Sequence, residues 1–90
     1  MRRSQLIAIV KGDVQGVGFR ATARRIALSH QLTGFARNLA NGDVEICAQG
    51  EQKALEAFIA ELKCVFKDYI SAIDVSSGVI AREYGDFSIG

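Results

Sequence analysis

The stretch Gly12-Asp13-Val14-Gln15-Gly16-Val17-Gly18-Phe19-Arg20 combines glycines with a terminal guanidinium, residue types that together can hold an anion. Gly12, Gly16 and Gly18 can take positive φ, which lets successive backbone N–H groups converge on one point, and a helix starting just after them adds partial positive charge. Arg20 then closes the cradle with its planar fork of donors. Gly16-Val17-Gly18 lacks the Gly-Lys-Ser/Thr ending of a Walker loop, so a nucleotide is not the first expectation. On spacing alone the same residues also suit an ordinary strand-to-helix turn.

Taken whole, the string closely resembles the Gly-x-Val-Gln-Gly-Val-x-Phe-Arg signature of the acylphosphatase family. Downstream, Gly34-Phe35-Ala36-Arg37-Asn38 followed by Asn41-Gly42-Asp43-Val44-Glu45 resembles the family's second motif, an asparagine just ahead of a hairpin turn. Gly50, the helical segment after it and the closing Asp86-Phe87-Ser88-Ile89 also fall at family positions, so the resemblance spans essentially the whole chain. It departs between Lys63 and Ser71, where many relatives carry a Gly/Pro-containing link and this chain has Cys64-Val65-Phe66-Lys67-Asp68 and no proline anywhere. The resemblance implies hydrolysis of the carboxyl–phosphate bond to a carboxylate and inorganic phosphate, with no metal and no other cofactor. It implies that Arg20 and the backbone amides of Gln15, Gly16, Val17, Gly18 and Phe19 bind the phosphoryl oxygens. It implies further that Asn38 orients the attacking water, which would make Arg20 and Asn38 the catalytic pair.

The chemistry of these groups fits those roles. No Ser-His-Asp grouping, placed Cys-His pair or metal cluster is visible, so neither nucleophilic catalysis nor metal-activated water is encoded. What remains is positioning and charge stabilisation, which is sparse equipment for a phosphate monoester, among the slowest of bonds to hydrolyse. An acyl phosphate is easier, because its leaving carboxylate, with a pKa of roughly 4, departs as a stable anion without a proton donor. A guanidinium stays charged at any working pH and bonds two oxygens at once. A neutral amide can both accept from and donate to water without repelling the anion as a carboxylate would. Phosphoryl transfer through a loose transition state needs mainly this alignment.

The elements that must carry these residues follow from periodicity. Gln5 to Lys11 is a short apolar, β-branched run that predicts a central strand. Phe19, Ala23, Ile26 and Ala27 fall on one side of a helix, with Arg24, Arg25 and Ser29 outward. Thr33 to Leu39 and Val44 to Gln49 bracket Asn41-Gly42 as a hairpin, with Val44, Ile46 and Ala48 alternating against Glu45, Cys47 and Gln49. Leu55, Phe58, Ile59 and Leu62 define a second amphipathic helix, Ile70 to Val75 a strand, and Phe87 to Ile89 a short terminal one. The order β-α-β-β-α-β predicts an α+β fold, a ferredoxin-like split β-α-β sandwich with two helices on one face of an antiparallel sheet. The same order resembles the acylphosphatase fold.

That architecture hosts other functions, so the rivals are weighed at the site. RNA-recognition modules stack bases on aromatics of the central strands, and Leu6-Ile7-Ala8-Ile9-Val10 and Val44-Glu45-Ile46-Cys47-Ala48 have none. A metal carrier needs a thiol or imidazole cluster, whereas the single histidine, His30, lies near the expected end of the first helix and complements its dipole. A non-catalytic phosphate or acyl-phosphate sensing module on the same loop is the alternative reading. Acylphosphatase-like domains also occur within larger maturation enzymes that process carbamoyl phosphate, against which the free-standing length of this chain argues. Arg24, Arg25 and Arg37 read as solvated charges, singly the commoner fate of a surface arginine.

Ninety residues, with eleven basic and ten acidic side chains and a net charge of +1, bound the remainder. The length suits one domain over residues 1–90 with a single two-layer core, expected to act as a monomer. The charge balance gives no global pull on nucleic acid or on an anionic membrane, so neither is an expected partner and anion selectivity must be local. An acyl phosphate is the expected substrate, with inorganic phosphate or sulfate as a competing ligand. Leu6 to Val10 is too short for a signal core or membrane span, and the expected location is cytoplasmic. Cys47 and Cys64 have no Cys-x-x-Cys spacing and are expected to be buried, reduced, apolar residues, although a disulfide remains open if they meet in space.

Overall fold

The computed structural model describes residues 3–90. Its elements run β1 (Ser4–Gly12), α1 (Phe19–Ser29), β2 (Thr33–Asn38), β3 (Val44–Gly50), α2 (Gln52–Val65), β4 (Ile70–Gly78) and β5 (Phe87–Ile89). They form the expected split β-α-β sandwich with a five-stranded sheet of order β4-β1-β3-β2-β5. β1 pairs antiparallel with β3 and β4, and β2 antiparallel with β3, while the short β5 lies parallel to β2.

Alternation along the strands decides which face the helices cover. Leu6, Ala8 and Val10 of β1 and Val44, Ile46 and Ala48 of β3 are buried with Phe19, Ala23, Ile26 and Ala27 of α1 and Leu55, Phe58 and Leu62 of α2. Each helix therefore places its apolar stripe on the same sheet face, as the 3.6-residue spacing requires. On the opposite face the alternation fails, because Cys47 and Gln49 are buried as well. The chain between β4 and β5 crosses there. The Gln49 side chain donates to Gln5 Oε1 at 2.8 Å and to Arg82 O at 2.6 Å, and its Oε1 accepts from Tyr84 N at 3.1 Å. A fully buried amide with its partners filled pins this crossover, and the crossover delivers β5 to the edge of β2.

The segment that departs from the family pattern continues α2 through Cys64-Val65 and ends in a turn closed by Tyr69 N and Ile70 N, both donating to Phe66 O at 2.9 Å. Phe66 is buried with its ring centroid 4.7 Å from that of Phe19. Tyr69 O accepts from Asp13 N at 2.8 Å, so this link also supports the start of the glycine loop. Gly12, with φ 131°, lies so close that a Cβ there would sit 2.3 Å from Tyr69 O. Of the two cysteines, both free thiols, Cys47 is buried as expected, but Cys64 is exposed: α2 turns Leu62 inward and leaves position 64 on its wet side.

Candidate active site

The glycine loop leaves β1 at Gly12 and enters α1 at Phe19. Val14 and Phe19, each 1% exposed, are seated in the core at its two ends, while Gly16, Val17 and Gly18 between them are exposed. Gly16 and Gly18 take φ of 80° and 74°, the left-handed region that glycine enters without steric cost. A Cβ at either position would meet nothing within 4 Å, so the loop faces open space rather than neighbouring backbone.

Gly18 also caps α1, with no side-chain cap and no acidic residue in the first turn. Thr22 N makes the first helical bond, to Gly18 O at 3.1 Å. The N–H groups of Phe19, Arg20 and Ala21 therefore precede any intrahelical acceptor, and the positive end of the helix dipole is left uncompensated by carboxylates. Anions bind at such an end.

Arg20, on the first turn, projects toward β5, and its Nη1 donates to Gly90 O at 2.5 Å. That bond orients the guanidinium while leaving Nε and Nη2 as further donors. Asn38 ends β2, paired with Val44 across the hairpin. Gly16, Gly18, Phe19 and Arg20 of the loop and first helical turn line one cavity of about 140 Å³ together with two residues distant in sequence, Asn38 of β2 and Ile89 of β5.

Two of the sequence-derived loop residues do not turn their side chains to this cavity. Val17 is a half-exposed apolar side chain outside its lining. Gln15 reaches instead to the β2–β3 hairpin, where its Nε2 donates to Leu39 O and Asp43 O, both at 2.9 Å. Ile89 and Gly90 were not anticipated at the site; a three-residue strand carries no periodicity from which its docking could be read.

The side chains outside the cavity lining differ in part from expectation. Arg24 is not merely solvated, since its Nε donates to Phe87 O at 2.8 Å, so Arg24 holds the start of β5 while Arg20, one turn away on α1, holds Gly90 just past its end. Arg37 pairs with Glu45 at 2.5 Å and its guanidinium lies 5.6 Å from the Phe35 ring centroid. Arg25 is exposed. His30 caps the end of α1 as expected and in addition faces Glu61 of α2, Nε2 to Oε1 at 3.0 Å. Burial, and secondarily the nearby Glu45, pushes the Cys47 thiol above its ordinary pKa, which keeps it protonated and unreactive at neutral pH. Among the described residues no cluster of three or more His, Cys, Asp or Glu could hold a metal ion, and no helix is long and apolar enough to cross a membrane.

Known proteins share this sequence pattern and this fold. The sequence model of the acylphosphatase family matches residues 6–89. An acylphosphatase from Ligilactobacillus salivarius is 41% identical over 83 residues, covering 90% of this chain and 91% of its own. One from Thermus thermophilus is 52% identical over 59 residues, 66% of this chain and 67% of its own. The crystal structure of acylphosphatase from Bacillus subtilis superposes with a TM-score of 0.88 at 33% identity, covering 97% of this chain and 98% of that one.

Proposed function

The chain belongs to the acylphosphatase family and hydrolyses acyl phosphates to a carboxylate and inorganic phosphate, and from that premise we infer which of its groups carry the reaction. The backbone amides of Gln15 to Phe19 and the guanidinium of Arg20 bind the phosphoryl oxygens, and Asn38 orients the water that attacks phosphorus. The observation that supports this most is the single cavity lined by Gly16, Gly18, Arg20 and Asn38 at the uncapped start of α1. Rigid placement matters here because the protein contributes alignment and fixed positive charge rather than a covalent step. Seating of Val14 and Phe19 in the core and the Arg20 bond to Gly90 O hold that charge in place before substrate arrives.

The acyl group leaves as a carboxylate, so no proton donor is required and none lines the cavity. Charge on the phosphoryl group as it passes from the departing carboxylate to water is met by Arg20 and the helix start, with no role for a metal. Inorganic phosphate, a product with the same tetrahedral oxygens, competes for the loop, as does sulfate. We assign the domain to residues 1–90, acting as a cytoplasmic monomer. Steady-state hydrolysis of acetyl phosphate after exhaustive chelation tests the reading. Unchanged turnover with competitive inhibition by phosphate is expected; activity lost on chelation and restored by a divalent cation would overturn the assignment to Arg20 and the loop.

A further inference from the structure

The Gln15 side chain occupies an unusual place for a loop residue. It is half-buried, turned away from the anion cavity, and spends both hydrogens of its terminal amide on main-chain carbonyls of another element, Leu39 O and Asp43 O at 2.9 Å each. Those two carbonyls already close the β2–β3 turn: Leu39 N donates to Asp43 O at 2.8 Å and Gly42 N to Leu39 O at 3.2 Å. Gln15 thus fills the second lone pair of each acceptor at the mouth of the turn. Leu39 directly follows Asn38.

We propose that the Gln15 side chain is a positioning residue that locks the phosphate loop to the strand end bearing Asn38, and so sets the line from attacking water to phosphorus. This rests on the water-orienting role of Asn38 given above. Among the described residues no other hydrogen bond joins the loop directly to β2: the loop is held through Val14, Phe19 and Tyr69 O and β2 through its ladder with β3, and the Arg20–Gly90 O and Gly90 N–Ala36 O bonds connect them only by way of the chain at the end of β5. In-line attack requires the two to keep a fixed distance, and a misplacement of about 1 Å costs on the order of a hundredfold in rate. The chemistry of position 15 is restrictive. Asparagine is one methylene too short to reach both carbonyls, and an ionised glutamate offers no donor while setting negative charge against two carbonyl oxygens.

The test combines Gln15→Ala, Gln15→Glu and Asn38→Ala. Because the Gln15 backbone amide is unchanged, Gln15→Ala is expected to keep phosphate affinity within about threefold of wild type while kcat falls about ten- to a hundredfold. Acting through Asn38, it should add little to Asn38→Ala: the double variant is expected to turn over within about threefold of Asn38→Ala alone, the non-additivity of coupled residues. Gln15→Glu supplies a pH signature. Its neutral acid keeps one donor and its carboxylate none, so kcat relative to wild type should climb as pH is lowered from 8 toward about 4.5, near the carboxyl range. Circular dichroism confirms the fold of each variant, and Gln15→Met, of similar length without a donor, replaces the alanine variant if that one does not fold.

Wild-type kcat in folded Gln15→Ala, equal loss of kcat and phosphate affinity, multiplicative loss in the double variant, or a flat Gln15→Glu profile would each overturn the proposal. Failure of the underlying reading is separately visible, because it would appear as wild-type kcat in Asn38→Ala itself.

Discussion

Gly12 and Gly18 stand at the two ends of the anion loop, both at positive φ, yet alanine should affect them very differently. At Gly18, φ 74°, the added Cβ meets nothing within 4 Å. The cost is then that of a left-handed alanine alone, about 1–2 kcal/mol. At Gly12, φ 131°, the same atom would lie 2.3 Å from Tyr69 O and 2.7 Å from Ser71 N, both backbone atoms that cannot rotate away. Relief requires β1 and β4 to separate locally, which breaks the Asp13 N–Tyr69 O bond of 2.8 Å. Backbone strain of about 1–3 kcal/mol and a lost hydrogen bond of about 0.5–1.5 kcal/mol then add to about 3 kcal/mol in the middle of those ranges. A chain of this length has roughly 5–13 kcal/mol of stability to lose from. Urea unfolding of both variants is the assay. With a slope of about 1 kcal/mol per molar, a difference of about 1.5 kcal/mol separates the two midpoints by about 1.5 M, Gly12→Ala being the lower. Equal midpoints would refute the claim that the β4 side of the molecule clamps the start of the loop.

Phe66, buried and 4.7 Å in ring centroid from Phe19, anchors the loop from the family-divergent segment. Phe66→Ala should lower unfolding free energy by about 3–5 kcal/mol in calorimetry, with the residual folded enzyme weaker for phosphate; a loss below about 1 kcal/mol would mean the site does not lean on this segment. Cys64 is exposed and Cys47 is buried with its thiol pKa raised, so iodoacetamide at mildly alkaline pH should place one adduct, on Cys64, in the native protein and a second only after denaturation. Mass spectrometry reads this directly, and a native adduct on Cys47 would contradict the burial. The same shift has a sign in stability: below the ordinary thiol value the folded state keeps its full advantage, and that advantage falls as pH rises through the raised value because the unfolded chain ionises first.

What was legible in the sequence was local. The four apolar positions Phe19, Ala23, Ile26 and Ala27 are the four buried residues of α1, since a 3.6-residue period needs no knowledge of the partner surface. Asn41-Gly42 closes the β2–β3 hairpin for the same reason, as turn chemistry is set within a few residues. The loop and Asn38 were found through the resemblance of two motifs, and the cavity brings those motifs together. The placement of the last strand was not legible. Phe87 to Ile89 could be read as extended, but not as lying parallel to β2, because that choice is made by the Gln49-pinned crossover. The same crossover buries Cys47 and Gln49, which simple alternation would place half-exposed on β3. Arg24 reads as a surface charge on a helical wheel and meets Phe87 O only once β5 has docked. The Gln15 bonds span the loop and the hairpin, a proximity that no sequence spacing records.

The division of labour between Arg20 and Asn38 is tested most directly by measuring phosphate affinity and acyl-phosphate kinetics on Arg20→Ala and Asn38→Ala side by side. If Arg20 holds phosphate in ground and transition states alike, its loss weakens phosphate binding and slows turnover together, whereas loss of Asn38 leaves phosphate affinity nearly intact and acts on kcat. Removing a preorganised polar contact at the reacting centre costs about 3–4 kcal/mol, or two to three orders of magnitude in rate. Calorimetric phosphate titration and steady-state rates supply both numbers, with circular dichroism verifying the fold. A folded Asn38→Ala variant with wild-type kcat, or a folded Arg20→Ala variant that binds phosphate as tightly as wild type, would contradict the account.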